Sequence, residues 1–377
     1  MKLFFWQNIN SIHQSEFFRA LSSQEDFDTT LIVTEKVKAE RVEMGWGNPQ
    51  ISGLKIIDIS NNNSKWQSII FNNKDSNSLH LFSGISAFPK VYQALNYAVQ
   101  NECRIAIFTE PFDFRGFKGF IRLMRGYYYK LKFDKKIEFI LVTGNIGAKQ
   151  FEKFGFSKNK VFEWAYSVEK SQNIILEKPN EVYKIIFAGS LIKRKGYDYL
   201  FAAFHQLQKN NIRFKANLYC LKKNERNKAE EILNSFGLSK NINLYPFLPN
   251  IEIRKKISQH DLLVLPSRHD GWGAVVNESL AEGTPVIVSD RCGSSILINS
   301  LNGKVMKAFS QNHLYSLLHD AIIKGSISTE HRKEIQLNYH QIASGPVLVK
   351  YFRKILNYTD ISKIDDEVKP ISPWQSN

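Results

Sequence analysis

Short, almost wholly apolar runs recur along this chain, separated by amphipathic stretches and polar loops. Leu3 to Trp6, Thr30 to Val33, Leu54 to Ile59, Arg104 to Thr109 and Glu138 to Thr143 have the length and composition of strands. Ser86 to Gln100, Gly116 to Leu131 and Gly144 to Phe156 read as helices, and the Asn-rich stretch Asn61 to Asp75 as a loop with a short helix. Val168 to Glu181 is polar, contains Pro179 and reads as a linker. The alternation then restarts: strand Tyr183 to Ala188, loop Gly189 to Gly196, helix Tyr197 to Lys209, strand Phe214 to Cys220, with Leu262 to Leu265 and Val286 to Val288 continuing it. Unbroken apolar runs mark strands covered on both faces, so the pattern predicts an α/β protein with two parallel, Rossmann-like sheets. The expected bounds are 1–167 for the first domain, 168–181 for the linker, 182–345 for the second domain and 346–377 for a terminal helix and polar tail.

The most informative stretch is Asp261 to Asp290, which reads as strand, loop, helix and strand. Ligands of such crossovers bind outside the carboxyl ends of the strands, here Ser267 to Gly273. Gly271 and Gly273 let backbone approach a ligand closely, and the helix expected from Gly273 to Ala281 opens with N–H donors suited to phosphate. Ala274 and Glu278 are four apart, so the carboxylate sits one turn below those donors on the same face. An anion above and hydroxyls below describe a sugar nucleotide.

An acid, seven residues, a Glu, then a small residue, Gly and Pro-Val-Ile occur here as Asp270, Glu278, Ala281, Gly283, Thr284, Pro285, Val286 and Ile287. This string resembles the retaining glycosyltransferases of family 4, of the kind acting in bacterial surface polysaccharide synthesis. The resemblance implies the GT-B fold, two Rossmann-like domains facing each other across a cleft, with a last helix, Pro346 to Tyr358, crossing back to the first domain. It implies that Glu278 holds the ribose hydroxyls of the donor, while Asp270 with the backbone of Gly271, Trp272, Gly273 and Ala274 faces the transferred sugar. Gly189 to Gly196 resembles the family's diphosphate loop; Lys195 matches its Lys, Ser190 stands where Arg is usual, and Arg194 is placed to supply that cation. Cations facing a departing diphosphate stabilise its charge. With them, and without an Asp-x-Asp motif, no metal and no cofactor is expected.

The implied reaction is retaining transfer of a hexose from a nucleotide sugar, a UDP-sugar rather than a GDP-sugar, to a polysaccharide or lipid-linked oligosaccharide. Loops Leu221 to Glu225 and Tyr245 to Pro249 would read the base. On the acceptor side, His13 lies in the first strand-to-helix loop, where Ser11 and Gln14 have capping-box spacing, and Glu110 follows a strand end. A sugar-nucleotide epimerase of the same fold is the alternative enzyme.

A length of 377 residues suits two domains. Cys103, Cys220 and Cys292 are far apart and form neither a disulfide framework nor a zinc pattern. No run approaches the ~18 apolar residues of a membrane span, and a cytoplasmic location is expected. The net charge of +15 suits nucleic acid, an anionic membrane face or an acidic substrate. No nucleic-acid recognition motif accompanies it, and Asp270 and Glu278 would sit badly against phosphates, so nucleic acid is not an expected partner.

Much of the excess lies in Arg115 to Lys136, which has eight basic residues and the single acid Asp134. At ~100° per residue, Phe117, Phe120, Ile121, Met124, Tyr128 and Leu131 share a stripe, with Lys118, Arg122, Arg125 and Lys132 beside it. Such a stripe either packs on the first domain's sheet or lies on an anionic membrane. The surplus of aromatics beside cations favours the second, with Arg122 and Arg125 facing the inner surface of the cytoplasmic membrane and the protein bound there peripherally.

Overall fold

The structure, a computed structural model, describes residues 1–43, 49–61, 66–171, 181–221, 226–359 and 368–375. The linker prediction falls largely on 172–180, and the loop after Leu221 on 222–225; both lie outside the described residues. The chain divides into two compact units, one of residues 1–38, 47–168 and 343–377, the other of 39–46 and 169–342.

The first unit carries a seven-stranded sheet of β1 (Lys2–Gln7), β2 (Asp28–Val33), β3 (Lys55–Asp58), β4 (Ser78–Ser83), β5 (Arg104–Thr109), β6 (Ile137–Thr143) and β7 (Val161–Trp164). Its order is β3-β2-β1-β4-β5-β6-β7, and every pairing is parallel. The order reverses direction between β1 and β4, which makes their carboxyl ends the switch point of the sheet. β4 has no counterpart among the strands expected from the pattern, because His80 interrupts its apolar run. That imidazole is buried and serves as an aromatic ring. It stacks on Phe4 with centroids 4.8 Å apart, its Nδ1 accepts from Trp6 Nε1 at 3.2 Å, and burial lowers its pKa to about 4, which keeps it neutral.

The helix Gly345–Thr359 belongs to this unit. Gly345 sits where a Cβ would lie 2.4 Å from the Glu16 carbonyl oxygen, so the helix Ser15–Ser22 is approached backbone to backbone. Phe352 then meets the rings of Phe5, Phe17, Phe139 and Trp164. Beyond it, Trp374 Nε1 donates to Glu163 at 3.0 Å, and Lys369 Nζ donates to the Lys158 and Val161 carbonyls.

The basic helix spans Gly116–Phe133, and it packs in a way that excludes one of the two readings of its stripe. The face turned inward is made of Gly119, Gly126, Tyr129 and Phe133. A Cβ on Gly126 would stand 2.2 Å from the Phe154 ring, and one on Gly119 would overlap the Phe114 carbonyl. Phe117 (79% exposed), Phe120, Ile121, Met124, Tyr128 and Leu131 (87% exposed) all face outward. The large apolar stripe is therefore not the packing surface. Gly126→Ala should destabilise the unit by about 1–3 kcal/mol through overpacking against Phe154, read as a lower melting temperature; an unchanged one would mean that the helix has room to shift.

The second unit's sheet is made of β8 (Lys184–Ala188), β9 (Lys215–Leu221), β10 (Ile242–Pro246), β11 (Leu262–Leu265), β12 (Val286–Ser289) and β13 (Gly303–Met306). The order is β10-β9-β8-β11-β12-β13, again all parallel. Edge strands β10 and β13 escape the pattern reading because polar residues interrupt their apolar ones. Arg332, buried, ties the back of this unit: its guanidinium donates to the His260 carbonyl at 2.7 Å and to Thr284 Oγ1 at 3.2 Å.

Candidate active site

In the second unit the chain leaves β8 and β11, neighbours in the sheet, on the same side. The loop Gly189–Gly196 passes directly over the exit of β11. Gly196 has φ +74°, and a Cβ there would lie 2.1 Å from the Pro266 carbonyl oxygen. Only glycine allows that approach, which brings the loop's cations to the loop after β11. Lys195 Nζ stands 2.5 Å from Asp270 Oδ2, the side chains 17% and 13% exposed. Arg194 donates to the His269 carbonyl at 3.0 Å, and its own carbonyl accepts the Arg268 N–H at 2.8 Å. Arg268 is fixed in turn by Asp198, at 2.6 and 2.7 Å, and by the Tyr199 ring, 4.1 Å away.

Asp270 is anchored through its backbone, whose N–H donates to the Arg291 carbonyl at 3.0 Å while its own carbonyl accepts from Gly293 at 3.2 Å. Gly273, at φ +88°, turns the chain where a Cβ would meet Leu265 at 2.9 Å. Trp272 is only 2% exposed; its indole donates to Asn277 Oδ1 at 2.6 Å and Asn277 donates to Tyr339 Oη at 3.1 Å. Its ring is a core element, and what it can offer a ligand is backbone. The helix that follows is Val275–Ala281, two residues shorter at its start than expected, since Gly273 takes a left-handed turn and Ala274 is the cap.

Glu278 is buried in that helix and accepts from Asn250 Nδ2 at 2.8 Å. Burial, with Glu282 nearby, pushes its pKa up to about 7 against the opposing pull of Arg254 and the Asn250 hydrogen bond. Arg254 itself is committed to Glu282 at 2.7 Å. Sequence reasoning missed these partners, although they carry a signal: Asn250 and Arg254 are four apart on one helix, as Glu278 and Glu282 are on another, which makes two facing rows.

In the first unit, Tyr166 joins His13 and Glu110, the two residues expected on the acceptor side. Its hydroxyl donates to Glu110 Oε1 at 2.7 Å, and its ring stacks on His13 with centroids 6.4 Å apart and planes at 21°. Ser11 caps its turn by accepting from the His13 N–H, but the Gln14 side chain accepts from Gln7 Nε2 at 2.5 Å, so the expected capping box is not formed. Of the two basic residues assigned to a membrane face, Arg125 is exposed, while Arg122 donates to the Asp113 carbonyl at 2.7 Å. Among the described residues, no group of three or more His, Cys, Asp or Glu could hold a metal ion.

Two Rossmann-like, parallel-sheet domains in one chain define the GT-B class of fold, and solved structures agree. A structure of Anabaena Alr3699/HepE in complex with UDP superposes with a TM-score of 0.70, covering 95% of this chain and 100% of that one at 12% identity. Residues 168–338 match the family model described as glycosyl transferases group 1. This match corrects the family-4 assignment made from the motifs; the string Asp270 to Ile287 lies inside the residues that match the group 1 model. The chain is 29% identical over 121 residues to an uncharacterized glycosyltransferase of Methanocaldococcus jannaschii, covering 32% of this chain and 30% of that one. It is 23% identical over 173 residues to the lipopolysaccharide glucosyltransferase WaaG of Escherichia coli, covering 45% and 43%. It thus spans less than half the length of the curated relatives it matches.

Proposed function

We propose that this protein is a glycosyltransferase that moves a hexose from a nucleotide-sugar donor, a UDP-sugar, to a polysaccharide or lipid-linked oligosaccharide acceptor. One observation carries the reading. Within the residues that match the group 1 model, the Lys195–Asp270 ion pair lies over the exit of β11, and the same crossover holds the buried acid Glu278. Glu278 accepts the ribose hydroxyls; Lys195, with Arg194 beside it, stabilises charge on the departing diphosphate. Asp270 and the backbone of Gly271 to Ala274 face the sugar. Asp270 is held by a cation and is not poised as a base or nucleophile. That supports attack of the acceptor on the leaving-group side, with retention of configuration and no metal. His13 and Glu110, joined through Tyr166, hold the acceptor. The UDP in the superposable Anabaena structure supports the choice of base.

The reaction runs, on this reading, against the inner face of the cytoplasmic membrane, with the outward row of the Gly116–Phe133 helix in an anionic bilayer. Among the described residues, no helix is long and apolar enough to cross a membrane.

Calorimetry of UDP and UDP-sugar binding tests the donor site. Glu278→Ala should weaken binding by on the order of 1.5–3 kcal/mol, the cost of charge-assisted hydrogen bonds to ribose. Because the Glu278 pKa is pushed up to about 7 and the ionised form is the better acceptor, affinity should rise with pH. It should approach a tenfold change per unit below about 7 and flatten above it. Glu278→Gln should remove that slope, and a parent affinity independent of pH between 5.5 and 8 would remove Glu278 from the ribose site.

A further inference from the structure

The sheet of the second unit is covered unevenly. On β9 and β10 the residues Ala216, Leu218, Cys220, Ile242 and Leu244 enter the hydrophobic core. The alternate residues Asn217, Tyr219, Asn243 and Tyr245 point to the other face. There, against the last turns of the helix Asn250–Ser258, lies a cavity of 360 Å³ lined by Tyr219, Tyr245, Asn217, Lys184, Lys256 and Gln259. The two tyrosine rings are stacked, 4.9 Å apart at 17°, and Tyr245 is 36% exposed.

The polar side of the cavity is ordered. Asn243 Nδ2 donates to Asn217 Oδ1 at 3.0 Å, Asn217 Nδ2 to His260 Nε2 at 2.9 Å, and His260 Nδ1 to the Lys256 carbonyl at 2.6 Å. Burial lowers the His260 pKa to about 4, so the ring stays neutral and the chain of bonds keeps one direction. The side chains of Lys184, Lys256 and Gln259 make no hydrogen bond or ion pair with a described residue. Among the described residues, no carboxylate lines the space.

We infer that this cavity is a saccharide subsite that takes a sugar ring bearing an acidic group, and that Tyr245, Pro246 and Leu248, expected to read the donor's base, line it instead. The C–H face of a sugar packs on the electron-rich face of an aromatic ring. Asn217 and Gln259 offer both donors and acceptors to hydroxyls. The two ammonium groups select an anionic sugar over a neutral one. The volume is in the range of small-ligand pockets, roughly 300–1,000 Å³. Leu248, which also lines the cavity, is two residues before Asn250, the partner of Glu278. That the occupant belongs to the acceptor rests on the glycosyltransferase reading; that the cavity binds an acidic saccharide does not.

Calorimetry without any nucleotide sugar, using a uronic-acid hexasaccharide and a neutral glucose hexasaccharide as probes, tests it. The acidic probe should bind one per chain, at least tenfold more tightly than the neutral one, and more weakly as salt is raised. Tyr245→Ala and Lys256→Glu should each weaken it at least tenfold, with Lys256→Glu leaving UDP affinity unchanged. Glu278→Ala should leave the acidic probe's affinity intact. No binding, equal binding by the Tyr245 and Lys256 variants, or displacement of the probe by UDP in the parent would each overturn the assignment, the last by making the cavity part of the donor pocket. If the acidic probe binds as described while no nucleotide sugar does, the subsite stands and the enzyme reading falls.

Discussion

Lys195→Ala should lower kcat by on the order of 10²–10³, or about 2.7–4 kcal/mol, the cost of removing one preorganised charge aimed at a developing anion. The cation is held in place: Gly196 brings its loop over β11, and Asp270 keeps Nζ within 2.5 Å. The pair is coupled, because its members are only 17% and 13% exposed and removing one leaves the other poorly compensated. Asp270→Ala should therefore also lower kcat, and the double variant should lose about as much as either single one, as residues acting as a unit do. Release of nucleoside diphosphate measures turnover, and melting temperatures check that each variant folds. Arg194→Ala should cost less, since its guanidinium is shared with the His269 carbonyl. Full turnover in the Lys195 variant would remove the loop from the chemistry.

On anionic vesicles, replacing Phe117 and Leu131 by Ser should abolish recovery of the protein by flotation, with melting temperature unchanged. These are the two most exposed members of the outward row, so each carries most of its ~1.5–3 kcal/mol of burial free energy into the bilayer and little into the fold. Lys118→Glu with Arg125→Glu, in the otherwise unchanged chain, should weaken binding, since each basic residue near such a surface contributes on the order of 1 kcal/mol. Arg122 is the poorer target because its guanidinium is engaged by Asp113. Recovery should fade as salt rises. Equal recovery on neutral vesicles, or retention by the Phe117/Leu131 variant, would leave the row as an exposed surface with some other partner.

That helix shows where reading a sequence stops. Period alone grouped Phe117, Phe120, Ile121, Met124, Tyr128 and Leu131 on one face, and they do share one. It did not say which face packs inward. The pointer was the spacing of Gly119 and Gly126, seven apart, which marks a face made for close approach. The strands show the same division. β5 was legible to the residue because its apolar run is unbroken, whereas β4 was hidden by His80, whose character depends on burial. In the candidate site, Asp270 and the Gly189–Gly196 loop stood out through their resemblance to a family's motifs, and Glu278 also through its helical spacing from Ala274. Asn250 and Tyr166 did not, because each meets its partner only after folding: Asn250 is 28 residues from Glu278 and Tyr166 is 56 from Glu110.

The return of residues 343–377 to the first unit bears on how the chain is made. The second unit is, apart from 39–46, continuous from 169 to 342 and can complete itself as it is synthesised. The first unit cannot. Phe5, Phe17, Phe139 and Trp164 lack the ring of Phe352 until roughly 190 further residues have been added, which at 5–20 residues per second is a wait of roughly 10–40 s. For that interval the nascent first unit presents an aromatic surface with the outward row of the basic helix elsewhere on the same unit. Until the last helix closes over it, that surface is open to a chaperone.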